Sequence, residues 1–184
     1  GQAGRPEWIA EPYQLCQEKN EFCAVGEGNG LMTAEASARK SLAQIFETQI
    51  EAKLKTETAQ EATDDGSGNL QGEVEHGYQE EIVERTNQVL KGVEIKTNWS
   101  GDGAFFALAV LDRGKAAHEL REEIKELDEK IGTFFKDGRR HALAKALKLY
   151  QLRQNLNTRH DFLSGQRIAP KHSYREMMEK KRAK

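Results

Sequence analysis

The segment at residues 104–111, "AFFALAVL", is eight apolar residues without a break. As a strand it places Phe106, Leu108 and Val110 on one face and Phe105, Ala107, Ala109 and Leu111 on the other. Either face left bare would put a contiguous apolar surface into water. The chain must therefore build a sheet that is covered on both sides. Crossing a bilayer takes roughly 20 apolar residues, so this run is a core strand and not a membrane span.

Its neighbour in sequence is its partner. Val93, Ile95, Thr97 and Trp99 alternate with polar residues, and "SGDG" at 100–103 supplies a turn, which together predict a β-hairpin. Upstream, alternation first appears at residues 22–26. Thr33 is placed to cap a helix in which Ala34, Ala38, Leu42, Ile45, Phe46 and Ile50 recur at helical spacing. The small residues at its start let that helix lie close to a sheet. Ile50, Ala52, Leu54 and Thr56 then alternate and predict a further half-exposed strand. Residues 57–72, "ETAQEATDDGSGNLQG", have linker composition. Val74, Tyr78, Ile82, Thr86 and Val89 with Leu90 predict a second helix ending at Gly92.

Gly26, Gly28 and Gly30 sit between a strand and a helix, where a phosphate-binding loop would be. A dinucleotide fingerprint needs Gly-x-Gly-x-x-Gly, and Leu31 occupies the place of its third glycine. No Gly-Lys-Ser/Thr follows, so a P-loop fails too. The stretch reads as a flexible connection before Thr33, and no cofactor-binding residue is expected. His76, His118, His141, His160 and His172 show no metal spacing and read as solvated helix-surface residues. "DDGSGN" at 64–69 lacks the ligand alternation of a calcium loop. No carboxylate stands in an apolar context that would raise its pKa, and Ser41, Ser100 and Ser164 lack a nucleophile-elbow setting. The expectation is no catalytic residue, no metal and no small-molecule substrate: not an enzyme.

Cys16 and Cys23 are the two cysteines, in "LCQEKNEFC". Their spacing does not suit a CxxC pair or zinc. With Lys19 and Asn20 as a turn, the two would face each other across a hairpin within disulfide reach. Such a bridge implies an oxidising compartment.

The formal charge of −2 conceals a division along the chain. Residues 1–112 hold 9 Lys+Arg against 20 Asp+Glu, and residues 113–184 hold 19 against 10. The basic part begins with Ala117, Leu120, Ile124, Leu127, Ile131 and Phe134 stepping by three and four, a heptad seam. Gly138 is a natural stop. Ala142, Ala146, Leu149, Leu152, Leu156 and Leu163 then form a facing stripe, so residues 114–165 predict an antiparallel helical hairpin. Residues 166–184 read as a basic tail. The second arm carries another apolar line, Leu143, Leu147 and Tyr150, which needs a cover. Either the hairpin folds back on the sheet, or it projects and pairs with another molecule. The length of the basic part favours projection, with Leu143, Leu147, Tyr150, Lys171, Lys180, Lys181 and Arg182 as the interaction surface.

"RPEWI" at 5–9, "CAVGEGNG" leading into "AEASARKSLAQIF", "LKGVEIKTNW" and "FFALAVLDR" together resemble the Lpp-twenty family of bacterial envelope lipoproteins. The amino-terminal domain of the flagellar assembly protein FlgT is similar. The resemblance spans residues 5–113 and implies an α+β domain in which an antiparallel sheet curls around one helix, dodecin-like or hot-dog-like. The expected order is β-α-β-(α)-β-β, followed by the helical hairpin. The resemblance also implies export to the periplasm and a lipid anchor at the outer membrane, attached upstream of this chain. It transfers no enzymatic residues. The expected role is structural, in assembly or in recruiting a protein partner, another copy or an envelope component. The alternative is a soluble module whose basic part contacts a polyanion such as nucleic acid. That is disfavoured because Tyr174 is the tail's lone aromatic residue.

Overall fold

The computed structural model describes residues 4–64 and 68–184, and the side chains of all of these except 58 and 61–77. Elements follow in the order β1 (Glu21–Gly28), α1 (Leu31–Asp64), α2 (Gly68–Leu90), β2 (Glu94–Gly101), β3 (Ala104–Asp112), α3 (Arg113–Asp137), α4 (Arg140–Ser164) and α5 (Tyr174–Arg182). Among the described residues this is an α+β protein with five α-helices and one three-stranded antiparallel sheet, ordered β1-β3-β2. The chain divides into two units. The first comprises residues up to Gln49 with Asn87–Ala116, and the second Ile50–Thr86 with Ala117–Lys184. This division differs from the expected one, because α1, α2 and α3 each contribute residues to both units.

In the first unit β3 is the central strand, as its two-sided apolar sequence requires. Asp102 (φ 54°) and Gly103 (φ 76°) make the two-residue turn from β2. Positive φ at both positions is what a type I′ hairpin turn demands. Ile95 pairs with Ala109 and Thr97 with Leu108, so Lys96 is an extra residue in β2. This bulge moves Ile95 and Trp99 to opposite faces of the sheet, although simple alternation had put them on one.

One sheet face receives α1. Phe22, Ala24, Gly26 and Gly28 pair with Leu111, Ala109, Ala107 and Phe105. A Cβ on Gly26 would stand 2.0 Å from the Ala38 backbone nitrogen, and one on Gly28 would stand 2.6 Å from that of Ala34. Here lies the reason for the glycines: the helix backbone rests on the strand with no room for a side chain. They are strand residues and not a flexible connection. α1 begins at Leu31, so Thr33 lies within its first turn instead of capping it.

The opposite face carries Phe106, Leu108, Cys23 and, at its rim, Val25 and Trp99. Its cover is the amino-terminal segment. Trp8, from a 3-10 turn at Glu7–Ile9, is 6% exposed and packs with Cys16, Phe106 and Leu108. Cys16 is bonded to Cys23. That bond does not cross a hairpin, because β1 pairs with β3; it staples the covering segment to the strand. The Cys23 amide donates to the Tyr13 hydroxyl at 3.3 Å, which occupies part of the free edge of β1.

The strand expected at 50–56 is helix, and so are 57–64 and 68–72 of the expected linker. Ile50 continues the four-residue spacing of Ala34, Ala38, Leu42 and Phe46, and all five are buried. Ala, Glu, Gln and Lys dominate residues 51–62 and favour helix intrinsically. That propensity outweighs a short alternation that was accidental. The "DDGSGN" segment lies partly outside the described residues.

Candidate functional site: the enclosed polar face of helix α4

In the second unit, every residue from 150 to 160 is buried. A surface helix shows one apolar stripe, whereas this one is enclosed all round and much of it is polar. Gln151, Arg153, Gln154, Asn155, Asn157, Thr158, Arg159 and His160 are each at most 7% exposed. Burial of such groups is tolerable only where partners replace water.

The partners come from several elements. Arg153 Nε donates to Asp128 Oδ1 at 2.8 Å and Nη2 to Oδ2 at 3.2 Å, a two-point pair with α3, while Nη1 donates to Gln154 Oε1 at 2.9 Å. Arg159 reaches Asn155 Oδ1 at 3.0 Å and Thr86 Oγ1 of α2 at 2.9 Å. Thr158 donates to Glu57 of α1. Asn157 holds the chain after α4 by two bonds: its Nδ2 donates to the Ile168 carbonyl at 3.1 Å, and its Oδ1 accepts from the Ile168 amide at 2.9 Å. Gln151 differs, since neither amide atom of its buried side chain has a hydrogen-bond partner among the described residues.

His160 completes the row. Its Nδ1–H donates to the Gln166 carbonyl at 2.7 Å, and Arg121 Nη2 donates to Nε2 at 3.4 Å. Burial, first, and then the Arg121 charge hold its pKa below the ordinary histidine value, against the Gln166 bond and Asp161. Ser164 Oγ lies 3.3 Å from Nδ1. That nitrogen already carries the proton given to Gln166, so it cannot accept one from Ser164. The pair is not a nucleophile and base. His160 is thus a buried structural residue and not a solvated one; His172 likewise stacks on Phe135, with ring centroids 4.1 Å apart. His118 and His141 are exposed, and the His76 side chain lies outside the described residues.

Beside the row, Glu81, Arg85, Glu123, Glu126, Lys130, Leu152 and Leu156 line a cavity of about 60 Å³. That holds a few waters and no larger ligand. The pKa of Glu123, 3.0 Å from Arg85, is pushed up by burial despite that cation, which corrects the expectation that no carboxylate has a setting that would raise it. Among the described residues no group of three His, Cys, Asp or Glu could hold a metal ion, and no helix is long and apolar enough to cross a membrane.

The apolar part of the expected interaction surface is covered. Leu143, Leu147 and Tyr150 are 0%, 8% and 3% exposed. Leu147 and Tyr150 pack with Ile131, Ala146, Tyr174 and Met177. The cover is α5, which lies within the segment read as a basic tail. Ser173 accepts from the Glu176 amide and Glu176 accepts from the Ser173 amide, a capping box that starts this helix. Lys180 is drawn in as well, its Nζ donating to the Phe135 carbonyl at 2.7 Å. Lys171 and Arg182 are exposed and Lys181 is half-buried. The signal for α5 was present in Ser173-x-x-Glu176 with Tyr174, Met177 and Met178 at helical spacing.

No curated protein matches the chain in sequence. Among solved structures the chain is similar to the secreted protein HP1454 of Helicobacter pylori, with a TM-score of 0.44 and 11% identity. That likeness covers 90% of this chain and 60% of that one. The family model described as LPP20 lipoprotein matches residues 6–112, which span the amino-terminal cover, β1, α1, α2 and the β2–β3 hairpin. The chain belongs to the LPP20 lipoprotein family.

Proposed function

We propose that this protein is a non-enzymatic lipoprotein of the bacterial envelope, tethered by lipid at the outer membrane and exposed to the periplasm, where it acts in structure or assembly by holding a protein partner. The family match over residues 6–112 carries this reading. The Cys16–Cys23 bond suits an oxidising compartment. The polar row of α4 is consistent with a scaffold, because most of its groups bond to α1, α2, α3 and the segment after α4 and so tie those elements together. A dodecin-like arrangement for residues 6–112 is supported by the antiparallel sheet laid on α1, with three strands where four were expected. The partner in this reading is a second copy or another envelope protein.

The test is expression of the full-length gene with its native leader in cells fed labelled palmitate, followed by separation of inner and outer membranes. Label in the protein and sedimentation with the outer membrane are expected. An unlabelled protein in the cytosolic fraction would overturn the reading.

A further inference from the structure

The turn between α3 and α4 is strongly basic, and α5 makes it more so. Residues 136–148 hold five Lys or Arg against one Asp, and residues 171–184 hold six against two Glu. Lys180 joins the two stretches. Its ammonium bonds the Phe135 carbonyl and lies 4.2 Å from that ring's centroid, and its Cε comes within 3.3 Å of where a Cβ on Gly138 would stand. The end of α5 therefore rests on the turn, and Lys181, Arg182 and Lys184 are carried to the same place as Lys136, Arg139 and Arg140. All but Lys181 are exposed. Of the three acids in these stretches, Asp137 binds Arg139 through both oxygens at 2.7 Å and Glu176 closes the capping box, while Glu179 is exposed and leaves the cations in clear excess.

The surroundings narrow the kind of polyanion. Proteins that hold single-stranded nucleic acid stack bases on free aromatic rings. Here Phe135 is stacked on His172, Tyr174 faces Tyr150 at 6.2 Å, and Phe134 lies under Lys145 at 5.6 Å. The apolar side of α5, Tyr174 and Met177, is buried, so this helix cannot insert among acyl chains. What remains is positive charge on a short, rigidly docked helix and an adjoining turn. We propose that this basic end of the helical unit docks on an anionic phospholipid surface by charge alone. The proposal rests on the envelope reading, which puts such a surface within reach.

The assay is co-sedimentation of the purified, lipid-free protein with vesicles of phosphatidylglycerol and phosphatidylcholine, or of phosphatidylcholine alone. Binding is expected only to the anionic vesicles and is expected to fade as salt rises. Each Lys or Arg near an anionic surface contributes about fivefold to partitioning. Lys181→Gln with Arg182→Gln should thus lower binding by about 25-fold, and Lys136→Gln with Arg140→Gln should do so independently from the other stretch. Lys55→Gln with Lys125→Gln, away from this end, should not. Unchanged melting shows that each variant is folded. Equal binding to both vesicle types, or no loss in the two basic-end variants, overturns the proposal. Tighter binding of an oligonucleotide in the same buffer also overturns it, and assigns the patch to nucleic acid. This assay and the fractionation fail separately, since one uses no cell and the other needs no vesicle.

Discussion

Arg153 of α4 and Asp128 of α3 form a two-point ion pair, with N–O distances of 2.8 and 3.2 Å, in which the arginine is wholly removed from solvent. A pair of this kind is weak evidence of stability in itself, since desolvating both charges cancels much of their attraction. Its consequence lies in what happens when it is broken. Arg153→Met leaves a buried carboxylate facing an apolar chain and should cost about 3–5 kcal/mol. Adding Asp128→Leu should recover most of that. Urea unfolding of the single and double variants measures both, and a mild single variant would show that water reaches Asp128.

Gly26 and Gly28 make a second expectation sharp. A methyl group on Gly26 would meet helix backbone at 2.0 Å, whereas around Gly30 nothing lies within 4 Å of an added Cβ. Gly26→Ala should therefore cost about 3 kcal/mol, at the upper end of overpacking penalties. Gly30→Ala should change stability by less than about 0.5 kcal/mol. Thermal melting of the pair checks the contrast, and equal effects would contradict close helix–strand contact.

These glycines also mark what could be read in advance. Two-sided burial of β3 followed from residues 104–111, and its turn from Asp102-Gly103, because both are rules of local geometry. That the strand runs on through Gly28, with Gly26 and Gly28 under a helix, could not be read, since glycine in a turn and glycine under a helix look alike in sequence. The bulge at Lys96 was invisible for a related reason: alternation continues in the letters while the pairing slips by one. The enclosed row on α4 left no pattern at all. Arg153, Asn157 and His160 are residue types that normally face water, and their burial depends on partners from α1, α2, α3 and the chain beyond α4. The α5 helix was legible in Ser173 and Glu176, although the basic composition around them equally suits a solvated tail.

The burial of Leu147 against α5 reverses the expectation of a free apolar line. Leu147→Glu forces a charge among Ile131, Tyr150 and Met177, and a loss of at least about 3 kcal/mol is expected. Ser173→Ala removes only the cap and should cost about 1 kcal/mol. Chemical denaturation of both variants decides. A Leu147→Glu protein as stable as wild type would restore the exposed-surface reading.

The Cys16–Cys23 bond closes a loop of sequence separation 7. By chain entropy its contribution should stay below the roughly 3 kcal/mol of a 15-residue loop. Its local effect should be larger than its global one, because it holds the segment bearing Trp8. In the Cys16→Ser, Cys23→Ser variant, Trp8 should be more accessible to a soluble quencher than in wild type, with Trp99→Phe in both backgrounds to isolate its signal. Identical quenching would show that Trp8 stays seated without the bond.

His160 gives the fold a pH dependence whose sign can be worked out. In the folded chain the neutral ring donates from Nδ1 to Gln166 and accepts at Nε2 from Arg121. Protonation would turn Nε2 into a donor facing a guanidinium, in a site already 1% exposed. Burial and that cation lower the folded pKa beneath the value of about 6.5 in the unfolded chain. The unfolded chain therefore binds the proton first as pH falls. The stabilisation from neutral His160 is complete above about pH 6.5 and is lost as pH drops from there through the folded pKa, with a slope of at most about 1.4 kcal/mol per pH unit. Asp161, which favours the charged ring, makes the loss smaller, and its removal should steepen it. His160→Gln lacks the titrating group, so its stability difference from wild type should shrink as pH falls from 7.5 to 5. Denaturant midpoints across that range read the difference directly. A difference that grows toward acid would mean that the folded site favours the imidazolium, and the tautomer assigned from Gln166 would have to be abandoned.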